Sequence, residues 1–297
     1  MAGAVKYLSL VTVVLLTACS SRPLLLTDTS LLPKDSSETS GLVCTATGFI
    51  SINDSGHAAE LQQLDATLKL SRIPLPLSQL DWEALTSDAR HLYIGDTGNN
   101  SGSRQHGEIH RLLHNRINGA VRVDGTLLYR FHDYPLSPPQ PYQHDFDVEA
   151  LAYADGSLWM FSKSWRSGIS RVYQLDPHAQ TMQTLHAKAL IPDLPGLVTD
   201  AVYLPESQLF LLTGYQNYQH QLLRFALQGQ FDAFVAVTDR QFKLLKVVPL
   251  PQAGQLEGIC ARGDEIWLSQ EQYQHSPARL WREPLVETAL KQLSAVR

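Results

Sequence analysis

Carboxylates recur along this chain at one fixed place in a repeated local frame. Glu83, Glu149, Asp200 and Glu257 are each followed nine and ten residues later by an apolar pair: Leu92-Tyr93, Leu158-Trp159, Leu209-Phe210 and Ile266-Trp267. A fifth copy has Ser40 in the acidic slot and Phe49-Ile50 as the pair. Acids gathered from separate segments reach solvent, take up protons, or hold a cation. Glu83, Glu149 and Glu257 are therefore candidate metal ligands, suited to Ca²⁺ or another hard divalent ion that takes about six to eight oxygens. Two approaches to the slot carry further acid. Asp145-Phe146-Asp147-Val148-Glu149 would set three carboxylates on one face of an extended chain, and Asp81-Trp82-Glu83 is its shorter version.

More polar chemistry lies thirteen to fourteen residues after the slot, at Asn53-Asp54, Asp96-Thr97, Ser162-Lys163, Thr213-Gly214 and Gln270-Glu271. If slot and segment lie on antiparallel neighbours, they meet at the same edge. The densest stretch is Gly95-Asp96-Thr97-Gly98-Asn99-Asn100, with Arg104 four residues on, where Gly and Asn permit a loop to fold back. The candidate ligand-binding residues are Asn53, Asp54, Asp81, Asp96, Asn99, Asn100, Arg104, Asp147, Lys163 and Asp200. Lys163 reads as a counter-ion to the carboxylates or as a binder of anions. Trp165, Tyr215 and Tyr218 could form a stacking wall or pack beneath a loop. His144 alternates away from the acids beside it and is not assigned as a ligand. No catalytic residue is assigned, because no G-x-S-x-G elbow, H-E-x-x-H helix, Walker loop or dinucleotide fingerprint is present.

The elements that must position these groups are short β-type runs separated by turn residues. The third copy is the clearest: Val148 to Tyr153, Leu158 to Ser162, Ser170 to Leu175 and Met182 to Leu190 read as four strands. Frame positions 40, 83, 149, 200 and 257 imply repeats of uneven length, with the variation in loops. The fourth copy contains an expected insertion around Gln228 to Asp239, and the fifth ends early, near Leu285. The expectation is an all-β propeller of four-stranded blades, residues 40–297, with the acids ringing one end of a central channel. Five blades account for all five copies; six would require a degenerate blade inside a long interval.

Lys6 followed by the apolar run Tyr7 to Leu16 reads as a signal peptide over residues 1–18, and Leu16-Thr17-Ala18-Cys19 matches a lipobox. Cys19 is the expected lipidation site, bearing acyl chains such as palmitate, and 19–39 the tether. Within it, Leu24-Leu25-Leu26-Thr27 could supply a strand that closes the ring. Ser20 after the cysteine points to the outer membrane, with the body in the periplasm or outside. The formal charge is -5, and losing Lys6 makes the mature chain more acidic by one. No basic cluster offers a phosphate backbone a site, so nucleic acid is not an expected partner. Cys44 and Cys260 would share an oxidising compartment and are a candidate disulfide if the first and fifth blades adjoin. Their opposite parity in the frame would place them on facing sheet surfaces.

Asn53-Asp54-Ser55-Gly56, Asp81-Trp82-Glu83, the Gly95 to Arg104 stretch, Asp145 to Glu149, Ser162-Lys163-Ser164-Trp165 and Leu256-Glu257-Gly258-Ile259, in that order, resemble a group of secreted bacterial β-propeller lipoproteins to which no firm function attaches. The likeness spans most of residues 38–285. More distantly, the acidic channel is similar to SMP-30/gluconolactonase and paraoxonase-like propellers, which hold a divalent ion and hydrolyse lactones or phosphoesters, though without a residue-by-residue match. Two functions follow as expectations. One is a lipid-anchored binding or scaffold protein whose polar channel mouth takes a small ligand or protein partner. The alternative is a metal-dependent hydrolase, with Asp96 or Asp147 as further ligand or base.

Overall fold

The computed structural model describes residues 29–114, 120–216 and 231–296. Its strands form five sheets whose innermost strands succeed one another around a ring, so the protein is a five-bladed β-propeller. Blade 1 runs Thr39–Cys44, Gly48–Asn53, Glu60–Asp65 and Leu70–Pro74 from the channel outward; blade 2 runs Trp82–Ser87, His91–Asp96, His106–His114 and Val121–Phe131. Blade 3 is Val148–Ala154, Ser157–Ser162, Ser170–Leu175 and Ala189–Ile191. Blade 4 is Leu197–Leu204, Leu209–Tyr215, Ala233–Thr238 and Leu244–Leu250. Blade 5 contributes Leu256–Arg262, Glu265–Gln270 and Arg279–Arg282, and its outermost strand is Thr29–Leu31 from the other end of the chain.

The apolar pairs of the repeat have a direct physical cause. Adjacent residues of a strand point to opposite faces, and each blade is buried on both faces by its neighbours. Leu92 enters the cluster between blades 1 and 2 while Tyr93 enters the one between blades 2 and 3. Leu158 and Trp159, Leu209 and Phe210, and Ile266 and Trp267 divide between their two interfaces in the same way, as do Phe49 and Ile50. The core is thus a ring of inter-blade clusters rather than one central mass.

Four details differ from the sequence reading. The run Met182 to Leu190 is two strands: Gln183–Leu185 leaves blade 3 to pair in parallel with Val121–Phe131, and Ala189–Ile191 returns as the outer strand of blade 3. The long outer strand of blade 2 leaves an edge that this excursion covers. The presumed insertion of blade 4 contains its third strand, Ala233–Thr238, whose six residues are all buried. Closure comes from Thr29–Leu31, inside the expected tether, whereas residues 24–27 lie outside the described residues. Finally, the chain continues past blade 5 into a helix, Pro284–Val296, whose Val286 and Ala289 join the apolar cluster between blades 4 and 5.

Blades 1 and 5 adjoin, and Cys44 and Cys260 form a disulfide across them with Cα atoms 5.4 Å apart. Among the described residues, no helix is long and apolar enough to cross a membrane. Cys19 and the signal segment lie outside the described residues.

Candidate functional site

Every inner strand begins with a β-bulge, and the bulge supplies the inward-facing slot. Pairing skips Glu83 in blade 2, Glu149 in blade 3 and Glu257 in blade 5. In blades 1 and 4 it skips Gly41 and Thr199. Such an extra residue leaves the ladder and re-aims its side chain. Ser40 and Asp200 are therefore one position off the slot, and hairpin length is the reason. The residue after the bulge pairs eleven residues on in three blades (Ala84 with Gly95, Ala150 with Phe161, Gly258 with Ser269). The separation is nine in blade 1, Leu42 with Ser51, and thirteen in blade 4, Asp200 with Thr213. A frame anchored on the apolar pair slips by one residue in each. The cysteines keep their opposite parity in the apolar-pair frame: Cys44 pairs with Phe49, the first of its pair, and Cys260 with Trp267, the second of its pair, so the two lie on facing sheet surfaces and meet between blades 5 and 1.

Asp200 is fully buried and accepts hydrogen bonds from its neighbour Ala201 N–H at 2.8 Å and from Ile259 N–H of blade 5 at 2.7 Å. Leu42 N–H of blade 1 donates to it as well. Its carboxyl is a tie across the channel, pushed well above the usual range by burial although these donors oppose the shift. Thr199, in the slot, donates to the Leu256 carbonyl at 2.6 Å. Ser40 donates to the Glu83 carbonyl at 2.9 Å.

The three slot glutamates meet in a cavity of about 190 Å³ at the channel mouth. Blade 1 contributes Ser40 and Asp54, blade 2 Glu83 and Asn100, and blade 5 Gln255, Glu257 and Glu271. Opposite them stand Glu149, Lys163 and Trp165 of blade 3, Tyr215 of blade 4, and Tyr142 from the loop before blade 3. Lys163 Nζ pairs with Glu149 Oε2 at 2.5 Å and sits 5.0 Å from the Trp165 ring centre and 5.3 Å from that of Tyr215. Trp165 is itself held edge-on to Tyr142, ring centres 5.0 Å apart. Glu149 is 1% exposed, and its second oxygen, Oε1, has no hydrogen-bond partner. Asn100 Oδ1 is also buried without one.

Burial and mutual repulsion dominate the electrostatics. Burial first, then Glu149 and Asp54, hold the Glu83 carboxyl well above its usual range. Glu149 is likewise raised by burial against the opposing pull of Lys163. Burial pushes Glu257 up to about 7 with Lys163 again opposing, and burial with Glu257 beside it pushes Glu271 up to about 9. Burial works against the Lys163 ammonium, but Glu149, Tyr215, Glu257 and Glu83 together hold it well above its usual value.

The remaining candidates divide between cavity and scaffold. Asp96 accepts from Leu80 N–H at 3.0 Å and pairs with Arg104 at 2.7 Å, while Arg104 also donates to the Gly98 carbonyl at 2.9 Å. Asn99 donates to the carbonyls of Arg104 and Phe146, both at 3.1 Å. These three residues shape the loop that brings Asn100 to the cavity. Asp147 accepts from Asn99 N–H at 2.6 Å and from Trp165 Nε1 at 2.7 Å, so it sets the aromatic wall. Asp145 accepts from Arg166 and Ser167 N–H. The expected single face of three carboxylates is thus two loop ties and one cavity acid. Asn53 donates to the Asp35 carbonyl at 2.8 Å behind the mouth. Tyr218 lies outside the described residues.

Among the described residues, the acids close enough to share one cation are Asp54, Asp81 and Glu83, whose oxygens lie within 4.8 Å of one another. Of the three glutamates read as ligands, Glu83 belongs to this nest; Glu149 is paired with Lys163, and Glu257 accepts from Gln255 Nε2 at 3.0 Å. Asp81 is pushed up to about 6 by burial and then by Asp54 and Asp147. Gly98 is required beside it, because a Cβ there would lie 2.4 Å from the Asp81 carboxyl carbon. Sequence reasoning passed over Glu271, Gln255 and Tyr142 as site residues. Glu271 had a signal, fourteen residues past a slot glutamate. Tyr142, held with φ of 57° in a proline-rich loop, had none.

No protein family matches the sequence, and no curated protein does. Similar solved structures include a streptogramin B lyase, 15% identical with a TM-score of 0.42, covering 82% of this chain and 67% of the other. A virginiamycin B lyase from Staphylococcus aureus is 12% identical, TM-score 0.39, over 84% and 67% of the two chains. A chain of the mitotic checkpoint complex is 10% identical, TM-score 0.41, over 95% and 99%. At this distance none lends the protein an activity, and the ring of blades rests on its own sheets.

Proposed function

We propose that the protein is a lipid-anchored binding propeller outside the cytoplasm. Cys19 would carry acyl chains into the outer membrane, and the cavity at the channel mouth would take a small ligand or the tip of a partner protein. The observation that carries the binding role is a polar cavity at the channel mouth, bordered by Glu149 Oε1 and Asn100 Oδ1, both buried without partners. Buried polar atoms left unpaired destabilise a protein by about 1–3 kcal/mol each, so a ligand that supplies the missing partners recovers that energy. The Cys44 to Cys260 disulfide fits an oxidising compartment. Thermal-shift screening of the full-length protein against neutral, anionic and cationic small molecules tests the reading. Binders should raise the melting temperature of the wild type and not of Glu271→Gln; a panel that leaves the wild type unmoved contradicts it. For the anchor, Cys19→Ala should abolish palmitate labelling and move the protein to the soluble fraction.

A second reading, metal-dependent hydrolysis of lactones or phosphoesters, is favoured by the Asp54, Asp81 and Glu83 nest. Carboxylates of this kind fit a hard divalent ion such as Ca²⁺, which when bound would polarise a carbonyl or phosphoryl oxygen. Metal analysis before and after chelation separates the two readings. No retained ion and a melting temperature indifferent to calcium eliminate the hydrolase.

A further inference from the structure

The two halves of the mouth differ in kind. Blades 5, 1 and 2 follow one another around the ring and present Glu257, Glu271, Asp54 and Glu83 to the cavity. The opposite half presents a lysine whose charge Glu149 already matches at 2.5 Å, together with Trp165 and Tyr215, over whose rings that lysine lies. The carboxylate arc therefore has no counter-charge of its own among the described lining residues. Glu149 Oε1, 1% exposed, is an unpartnered acceptor bordering the same space. The aromatic wall is already suited to ammonium groups, since Lys163 Nζ lies within 5.3 Å of both ring centres.

We infer that the ligand is a small aliphatic amine, its ammonium held by the carboxylate arc and its carbon skeleton laid against Trp165 and Tyr215. This rests on the binding role proposed above and names its ligand class. An ammonium donates several hydrogen bonds and accepts none, and its positive charge favours the ionised, accepting form of Glu83, Glu257 and Glu271, whose carboxyls burial and neighbouring acids raise. An anion would be repelled by the arc in a partly dehydrated space. A neutral polyol would bring no positive charge to the arc. The cavity of about 190 Å³ is equivalent to about six waters at about 30 Å³ each, more than a bare ion fills and enough for a short diamine. Aromatic faces attract cations by the ring quadrupole and shed water from the methylene chain.

The test is calorimetric titration of the full-length protein in non-ionic detergent with putrescine, glucose and gluconate in parallel. Putrescine should bind with a Kd below about 1 mM, which corresponds to about −4 kcal/mol, and more weakly as salt is raised. Asp54→Asn and Glu271→Gln, both at half-buried positions and checked for an unchanged fold by melting temperature, should each weaken putrescine at least tenfold. Glucose and gluconate should give no heat. Binding of glucose or gluconate without putrescine overturns the amine assignment and leaves the binding role standing. Putrescine binding that both variants retain within twofold also overturns it, by placing the amine elsewhere. Silence from all three probes, together with a silent thermal-shift panel, overturns the binding role as well.

Discussion

Replacing Lys163 with methionine removes the one cation among the described residues lining the cavity, and its effect can be worked from the geometry. Lys163 and Glu149 are both almost fully buried and paired at 2.5 Å, and the other Glu149 oxygen already lacks a partner. Breaking a buried pair from one side leaves an uncompensated charge and destabilises by about 3–5 kcal/mol. At about 2 °C per kcal/mol for a chain of this size, the melting temperature should fall by roughly 6–10 °C at pH 8. The loss must depend on pH in a known direction. Glu149 is raised in the folded protein and rises further without Lys163, so the folded state binds the extra proton. The deficit therefore shrinks as pH falls, by up to about 1.4 kcal/mol per unit. The loss should be smaller at pH 5.5 than at pH 8. Adding Glu149→Gln to Lys163→Met should recover more than half of the loss at pH 8. Denaturant unfolding followed by tryptophan fluorescence provides the measurement. Equal losses at both pH values, with additive effects in the double variant, would refute a buried ion pair at the channel mouth.

Other perturbations separate structural ties from cavity groups. Glu257→Gln should flatten the pH dependence of stability: the raised carboxyl makes wild-type stability fall between about pH 4.5 and 7, by on the order of 3 kcal/mol, and an unchanged slope would contradict this. Asp200→Asn should lower stability by about 1–3 kcal/mol while leaving putrescine affinity within twofold, because Asp200 binds backbone amides of blades 5 and 1 rather than the cavity; a tenfold affinity loss would place it in the site. Reducing the disulfide, which closes a separation of 216 residues, should lower stability by up to ~5 kcal/mol in the chain-entropy limit, read as an earlier denaturation midpoint.

The propeller was legible because its repeat is physical. Each apolar pair feeds two blade interfaces, so it had to recur. The acidic slot was legible in three blades for the same reason, and it slipped at Ser40 and Asp200 because their hairpins are two residues shorter and two residues longer than the others. Residue type could not distinguish Asp96, Asn99, Arg104 and Asp147, which brace loops, from Asp54 and Asn100, which reach the cavity; that difference depends on which backbone amide lies nearest. The excursion of Gln183–Leu185 onto blade 2 was hidden because an outer strand reads alike whichever edge it joins. Glu271 carried a positional signal that its neighbours on other blades shared.

The most direct test of a ligand-binding channel mouth is a crystal structure of the protein soaked with putrescine. Density is expected in the cavity, with a nitrogen within about 3.2 Å of carboxylate oxygens of Asp54, Glu83 or Glu271 and the carbon chain against Trp165. A cavity holding ordered water alone at a saturating amine concentration would contradict it.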